Sequence, residues 1–209
     1  MNLTAFIRHH AGSIRRRRYW NARAPELIET YDLPETWPER GWMAAGVEEE
    51  IVPPLLRELG IESVIVAGAG SGRQYGYLLP LGLRVEGFDL SARLVRECRR
   101  RYSSVRTKRT DVVGAHRHLA PADAVLCSGI LQHVPPDEIE AAIASLRRLA
   151  RRLVVVRELT ELAEHSDYQW AHDYEAMFAE WDLQRRFTTD QRPGVRVELL
   201  AFVRVRSSP

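Results

Sequence analysis

The sequence has little cysteine, no long apolar run and almost no net charge. Its two cysteines, Cys98 and Cys127, are too few for a disulfide framework or a metal cluster. No apolar stretch approaches the roughly 18 residues of a membrane span, and the charged N-terminus is not typical of a secretion signal. These absences favour a cytoplasmic protein that does not contact a membrane.

The charge balance gives only weak support for a nucleic-acid partner. Thirty Lys and Arg residues stand against 28 Asp and Glu residues, so the formal net charge is +2. The run Arg15–Arg18 is a local basic patch. We interpret it either as a solvated segment before the fold or as a contact for phosphate or an acidic substrate.

The length of 209 residues, 45% of them hydrophobic, fits one globular domain with an N-terminal extension. Residues 1–45 are rich in Arg, Trp and Pro and show poor periodicity. They are predicted to form a cap or lid with short helices. Residues 46–209 are predicted to form the domain itself.

Strands and helices alternate along this domain. Apolar, β-branched runs predict strands at 63–67, 84–89, 105–111, 122–128, 152–158 and 195–205. Helices are predicted at 46–60, interrupted at Pro53–Pro54, and at 72–82, 91–102, 135–152 and 173–182. This order is typical of an α/β fold with an open, mainly parallel sheet and helices on both faces. The last strand, with its two-sided alternation, is expected to be antiparallel.

Three alternate glycines follow the first strand, and Asp89 ends the second. Gly68, Gly70 and Gly72 permit a tight turn and a close approach of a ligand to the backbone. A carboxylate at Asp89 can accept two hydrogen bonds from ribose hydroxyls. Together they predict a nucleoside-bearing ligand at the carboxyl ends of the strands, although a plain glycine turn with a capping Asp stays open. A dinucleotide fingerprint would need glycine at Arg73.

The stretch Gly68–Gly72 with VEGFDLS resembles the class I S-adenosylmethionine-dependent methyltransferases. The segment DAVLCSGILQHVPPDEIEAAIASLRRLARRLVVVRE is similar to their fourth strand, following helix and fifth strand, as found in the small-molecule (type 11/12-like) branch. The resemblance covers about residues 45–205. It implies a Rossmann-like, seven-stranded sheet whose last strand is antiparallel, and S-adenosylmethionine as the cofactor.

The resemblance also implies which residues bind that cofactor. It places the glycine turn along the methionine part, Asp89 on the ribose, Leu90 beside the adenine and Asp111 near the adenine amino group. The full set of expected cofactor contacts is Gly68, Ala69, Gly70, Gly72, Asp89, Leu90, Asp111, Val112, Cys127 and Ser128. One departure is Val66, which stands where the family usually has an acid.

Candidate groups for catalysis and acceptor binding come from the segments after the fourth and fifth strands and from the extension. His133 and His172 are candidate bases because the pKa of histidine lies near neutrality. The expected acceptor contacts are Tyr19, Trp20, Glu158, Tyr168 and Tyr174. Packing, loop capping or tethering is the alternative role for each of these residues.

These observations predict a methyltransferase that acts on oxygen or nitrogen of a small molecule, conceivably in secondary metabolism. Two alternatives are kept: methylation of RNA or a peptide, and a non-catalytic subunit that binds S-adenosylmethionine. A nicotinamide-dependent oxidoreductase is disfavoured by the glycine spacing. Homodimer formation is left open.

Overall fold

Seven strands form a single sheet in the computed structural model, which describes residues 3–32, 47–163 and 168–205. The strands are β1 Ser63–Ala67, β2 Arg84–Asp89, β3 Arg106–Arg109, β4 Ala122–Ser128, β5 Ala150–Leu162, β6 Trp181–Arg192 and β7 Val195–Arg204. The helices are α1 Leu3–Asp32, α2 Val47–Glu58, α3 Arg73–Leu78, α4 Ala92–Arg101, α5 Ile139–Leu149 and α6 Tyr174–Met177.

The strand order in the sheet is β3-β2-β1-β4-β5-β7-β6. The first five strands pair in parallel, and β7 runs antiparallel to both β5 and β6. The carboxyl ends of β1 to β5 therefore lie along one edge. This arrangement confirms the predicted Rossmann-like, seven-stranded, mainly parallel sheet with an antiparallel last strand.

Alternate residues of the central strands bury their side chains on opposite faces of the sheet. In β1, Ile65 and Ala67 pack into the core under α5, whereas Val64 and Val66 pack against residues of α2, α3 and α4. Both faces of the central strands are covered, which explains their continuous apolar sequences.

The N-terminal segment differs from its prediction because residues 3–32 form one helix rather than several short ones. Ala24 and Leu27 of α1 pack against Leu94 of α4. The side-chain oxygen of Asn21 accepts hydrogen bonds from Ser91 Oγ (2.8 Å) and Arg93 N (3.2 Å). Few apolar positions are needed for this docking, so the helical period is weak in the sequence.

Three further helix predictions were wrong. The interruption expected at Pro53–Pro54 is absent, because α2 runs unbroken from Val47 to Glu58. The predicted helix at 173–182 is reduced to one turn at Tyr174–Met177, and Trp181 begins β6, a strand that the sequence did not reveal. The aromatic rings of Phe178 and Trp181 pack edge to face beneath the sheet, so tertiary packing overrides the helical spacing. The helix predicted at 135–152 starts only at Ile139 and gives way to β5 at Ala150.

The glycine turn is tightened by packing as well as by backbone geometry. Gly72 has a φ of +98°, and a Cβ there would lie 2.6 Å from the ring of Tyr102. Gly82 also has a positive φ, +75°, but a Cβ there would meet no atom within 4 Å. A side chain at either position would be strained by the positive φ, but only at position 72 would it also clash with a neighbouring ring.

We expect Gly72→Ala to lower the free energy of unfolding by about 2–4 kcal/mol, because left-handed strain and overpacking add. Gly82→Ala is the matched control and should cost only about 1 kcal/mol. Urea unfolding followed by circular dichroism measures both. Equal losses in the two variants would show that the Tyr102 ring yields without cost.

Candidate functional site

A cleft opens at the carboxyl ends of β1, β2, β3 and β4, beneath α1. The backbone at Gly68 and Gly70 lines it, with φ values of +63° and +58°. The other lining residues that matter here are Asp89, Leu90, Thr110, Asp111, Val112, Ser128 and Ile130 from the domain, with Arg16, Trp20 and Leu27 from α1. Seven of the ten residues predicted to bind a cofactor thus share one cleft: Gly68, Gly70, Asp89, Leu90, Asp111, Val112 and Ser128.

Asp89 is the most buried carboxylate of this cleft, with 8% of its surface exposed. One oxygen accepts a hydrogen bond from Gly70 N (3.0 Å) and the other from Ser91 N (2.7 Å). Burial raises the pKa of Asp89 to about 6, against these backbone hydrogen bonds, which favour the ionised form. Because each oxygen has a second acceptor site, the carboxylate can still bind two hydroxyls.

The remaining residues of the predicted cofactor set lie behind the cleft. Ala69 is buried and donates its N–H to Phe88 O (2.9 Å), which fixes the turn to β2. Gly72 contacts Tyr102, as described above. The thiol of Cys127 is 1% exposed and points to Glu158. The structure gives these three residues roles in packing and in shaping the turn.

His133 forms part of the cleft wall opposite the glycine turn. Its Nδ1 lies 2.7 Å from the carbonyl oxygen of Tyr168, and its ring packs edge to face on Trp20 with a centroid distance of 4.8 Å. Burial lowers the pKa of His133 to about 4 despite the hydrogen bond to Tyr168. The imidazole is therefore neutral near pH 7, with Nδ1–H donating to the carbonyl.

A second pocket adjoins the cleft and shares Arg16, Trp20 and His133 with it. It lies between α1 and the segment around Tyr168 and Trp170. Its other lining residues are Gly12, Arg15, Arg18, Tyr19 and Pro135. Three of the five residues predicted to contact an acceptor, Tyr19, Trp20 and Tyr168, lie together here.

Residues 64–152 match a family model described as a methyltransferase domain. The sheet order, the glycine turn and this match all indicate the same fold. Residues 64–152 carry a methyltransferase domain, and the sheet around them has the class I fold. The superfamily suggested by the sequence resemblance is thereby confirmed. No curated protein matches the chain in sequence.

The fold of the methyltransferase domain is shared with solved structures of low sequence identity. Magnesium protoporphyrin IX methyltransferase from Synechocystis PCC 6803 with bound S-adenosylmethionine has a TM-score of 0.67 at 20% identity, over 93% of this chain and 97% of that one. The 1,6-didemethyltoxoflavin-N1-methyltransferase of Burkholderia thailandensis has a TM-score of 0.60 at 20% identity, over 90% of each chain. TehB from Haemophilus influenzae has 0.64 at 11%, over 78% of this chain and 64% of that one.

Three predicted residues of the methyltransferase domain have structural roles instead. Glu158 is fully buried, and its carboxylate accepts hydrogen bonds from the N–H groups of Ile130, Leu131 and Gln132 at 2.8–3.2 Å. This caps the short 3₁₀ turn that carries His133. Burial raises the pKa of Glu158 to about 7. Glu158 is thus a capping group of this loop and lines neither the cleft nor the second pocket.

His172 and Tyr174 also lie outside both pockets described above. His172 is buried, and its Nε2 is 3.0 Å from the carbonyl oxygen of Val134, which tethers the segment after β5 to the His133 loop. Tyr174 is 1% exposed and belongs to the apolar core under the sheet. Both side chains border a separate pocket next to Arg186, Arg196 and Glu198 instead, so neither is positioned to act on a ligand in the cleft.

Sequence reasoning missed a buried ion network beneath the glycine turn. The carboxylate of Glu48, 3% exposed, accepts hydrogen bonds from Arg73, from Gln74 Nε2 (2.8 Å) and from Ser128 Oγ (3.2 Å). Arg157 Nη1 lies 3.5 Å from the same carboxylate. Burial opposes its charge, but Arg73 and Arg157 lower the pKa of Glu48 below its ordinary value. These residues come from α2, α3, β4 and β5, so no local motif could have joined them.

We expect Glu48→Gln to lower the free energy of unfolding by about 3 kcal/mol, because the buried Arg157 guanidinium loses this counter-charge, whereas the partly buried Arg73 keeps its ion pair with Glu49. Glu58→Gln is the matched control on the same helix. Its partner Arg185 and Glu58 itself are 42% and 59% exposed, so the loss should stay within about 0.5 kcal/mol. Thermal and urea unfolding measure both variants, and similar losses would contradict a stabilising role for the buried network.

Proposed function

We propose that the chain transfers a methyl group from S-adenosylmethionine to oxygen or nitrogen of a small-molecule acceptor. The observation that carries this proposal is the cleft in which a bare glycine turn, the buried Asp89 carboxylate and an apolar wall converge at the carboxyl edge of the sheet. Solved structures of this fold include methyltransferases named for small molecules, a magnesium porphyrin and a toxoflavin precursor.

The cleft suits the parts of this cofactor. Asp89 would accept hydrogen bonds from the ribose hydroxyls, and Leu90 and Val112 would flank the adenine. Glycine is favoured at position 68 because its φ is +63° and a Cβ there would meet the Ile130 side chain; the methionine part would run along the backbone of this turn towards Ser128. When bound, the cofactor supplies a sulfonium-activated methyl group as the electrophile.

His133 is proposed as the group that removes a proton from the acceptor. Its Nδ1–H is held by the Tyr168 carbonyl, which leaves the lone pair on Nε2. In this tautomer Nε2 accepts a hydrogen bond from Gln132 Nε2 (3.3 Å), which the acceptor's hydroxyl or amine would replace. The ring borders both the cleft and the second pocket. A neutral imidazole at this border can take a proton from the acceptor oxygen or nitrogen.

Helix α1 is proposed as the cap over the site, with a boundary near residue 45. Its residues Arg16, Trp20 and Leu27 face the cleft. A small-molecule acceptor is favoured over RNA because the Arg cluster of α4 is occupied within the fold: Glu97 pairs with Arg100 and Arg101, and Arg99 donates to Thr107 O. Within the described ranges, no helix is both long and apolar enough to cross a membrane.

We expect Asp89→Asn to weaken S-adenosylmethionine binding by about 1.5–3 kcal/mol, since charge-assisted hydrogen bonds are lost. The wild type should also bind more weakly as the pH falls below about 6. Protonation removes the acceptor charge, so affinity at pH 5 should be about tenfold lower than at pH 7. Calorimetry across this pH range measures both effects.

Asp123→Asn is the matched control for this prediction. Asp123 also accepts backbone hydrogen bonds, from Glu62 N and Ser63 N, but it lies at the start of β4 on the opposite edge of the sheet. Its substitution should leave the affinity unchanged. An Asp89→Asn variant that binds like the wild type, with the same pH dependence, would contradict the ribose-binding role.

We expect His133→Asn to lower turnover about 100-fold with little change in cofactor affinity, since general-base catalysis contributes on this scale. The Asn amide can keep donating to the Tyr168 carbonyl while the Nε2 lone pair is removed. To identify the acceptor, the wild-type protein is first incubated with methyl-labelled S-adenosylmethionine and cell extract, and the labelled product is identified by mass spectrometry. The turnover of that acceptor by the wild type and by the His133→Asn variant is then compared. Equal rates would show that His133 has only a structural role.

A further inference from the structure

The second pocket beside the cleft has its own chemistry. Its α1 side is built from Gly12, Arg15, Arg16 and Tyr19. These positions follow the spacing i, i+3, i+4 and i+7, so they lie along one face of the helix. This face lies beside Ala24 and Leu27, which dock α1 onto α4, and Arg16 itself pairs with Glu138. Docking of the helix therefore explains Arg16 but not the presence of Arg15 and Arg18.

The pocket has an excess of positive charge. The guanidinium of Arg16 is neutralised by two hydrogen bonds to the Glu138 carboxylate, at 3.0 and 2.7 Å. Arg15 and Arg18 also line the pocket and are exposed. Among the described residues that line it, none is acidic. Like charges three residues apart on a helix repel each other by about 0.2–0.5 kcal/mol, so a bound anion would stabilise this pair.

The opposite walls of the pocket are aromatic. The rings of Tyr19 and Tyr168 stack with a centroid distance of 5.0 Å and an interplanar angle of 9°. Trp20 packs on His133. The backbone N–H of Trp170 donates to Gln132 O at 2.8 Å, which holds this residue beside the His133 loop. Flat, rigid side chains of this kind bind planar rings at little entropic cost.

From this combination we infer that the acceptor is a planar aromatic acid, whose ring lies among these aromatic side chains and whose carboxylate, sulfonate or phosphate is held by Arg15 and Arg18. This inference rests on the proposed methyl transfer and names its substrate class. His133 lines both pockets, so a ring bound here borders on the site of the methyl group. The anion stays at the Arg15–Arg18 side, which sets the orientation of the ring.

The test uses two probes that differ by one sulfonate group: 8-anilinonaphthalene-1-sulfonate and its neutral parent, N-phenyl-1-naphthylamine. Both fluoresce when they enter an apolar aromatic site. Binding is titrated on the full chain saturated with S-adenosylhomocysteine, so that the cofactor cleft is filled. We expect the sulfonate to bind at least about tenfold more tightly than the neutral probe.

The variants Arg15→Gln and Arg18→Gln should each weaken binding of the sulfonate at least about threefold and leave the neutral probe unaffected. Arg17→Gln is the matched control, because Arg17 belongs to the same run but does not line the pocket. It should change neither affinity. Circular dichroism and retained S-adenosylhomocysteine binding show that each variant is folded.

Equal binding of the two probes, or equal losses in the Arg15, Arg17 and Arg18 variants, would overturn the inference while the proposed function stands. Displacement of the sulfonate by submicromolar tRNA would also overturn it, in favour of a nucleic-acid acceptor. Absence of S-adenosylhomocysteine binding to the wild type would instead refute the proposed function itself. The two failures are thus distinguishable.

Discussion

The carboxylate of Asp89 connects the parts of the site. It accepts one hydrogen bond from the glycine turn at Gly70 and another from Ser91 at the start of α4. Ser91 caps α4 by accepting from Leu94 N and donates its hydroxyl to Asn21 of α1. One buried carboxylate therefore fixes the turn after β1, the end of β2 and the start of α4, and through Ser91 it reaches the helix over the cleft. A displacement of this carboxylate would therefore shift the glycine turn, the end of β2, the start of α4 and the docking of α1.

A second constraint lies below the turn, where charge is buried rather than exposed. Glu48 forms ion pairs with Arg73 of α3 and Arg157 of β5. It also accepts a hydrogen bond from Ser128, which lines the cleft. Buried charges are costly unless fully paired, so these residues specify how α2, α3, β4 and β5 meet. The sequence resemblance led us to expect an acid at Val66 of β1; the buried carboxylate that reaches the cleft residue Ser128 comes instead from Glu48 of α2.

The two pockets divide the chemistry of the site. The cleft is lined by backbone and by carboxylates, which suit hydroxyl and amine donors. The adjoining pocket is lined by guanidinium groups and aromatic rings, which suit an anionic ring. His133 lies on the wall between them. Its loop is held on one side by Glu158 and on the other by the Tyr168 carbonyl and by His172, which bonds to Val134. Several groups that sequence reasoning suggested as catalytic or acceptor-binding thus act by holding this wall in place.

The sequence by itself determined the features that depend on neighbouring residues. Continuous apolar runs marked β1, β4 and β5, the Ser91 cap marked α4, and the alternate glycines with Asp89 marked the cleft, because each follows from local backbone geometry or burial. The tertiary structure alone decided the rest. The polar edge strand β6, the single helix α1 and the contacts of Glu48, Glu158 and His172 depend on residues far apart in the chain. Which side chain faces a ligand and which is enclosed by protein is settled only when those distant segments pack together.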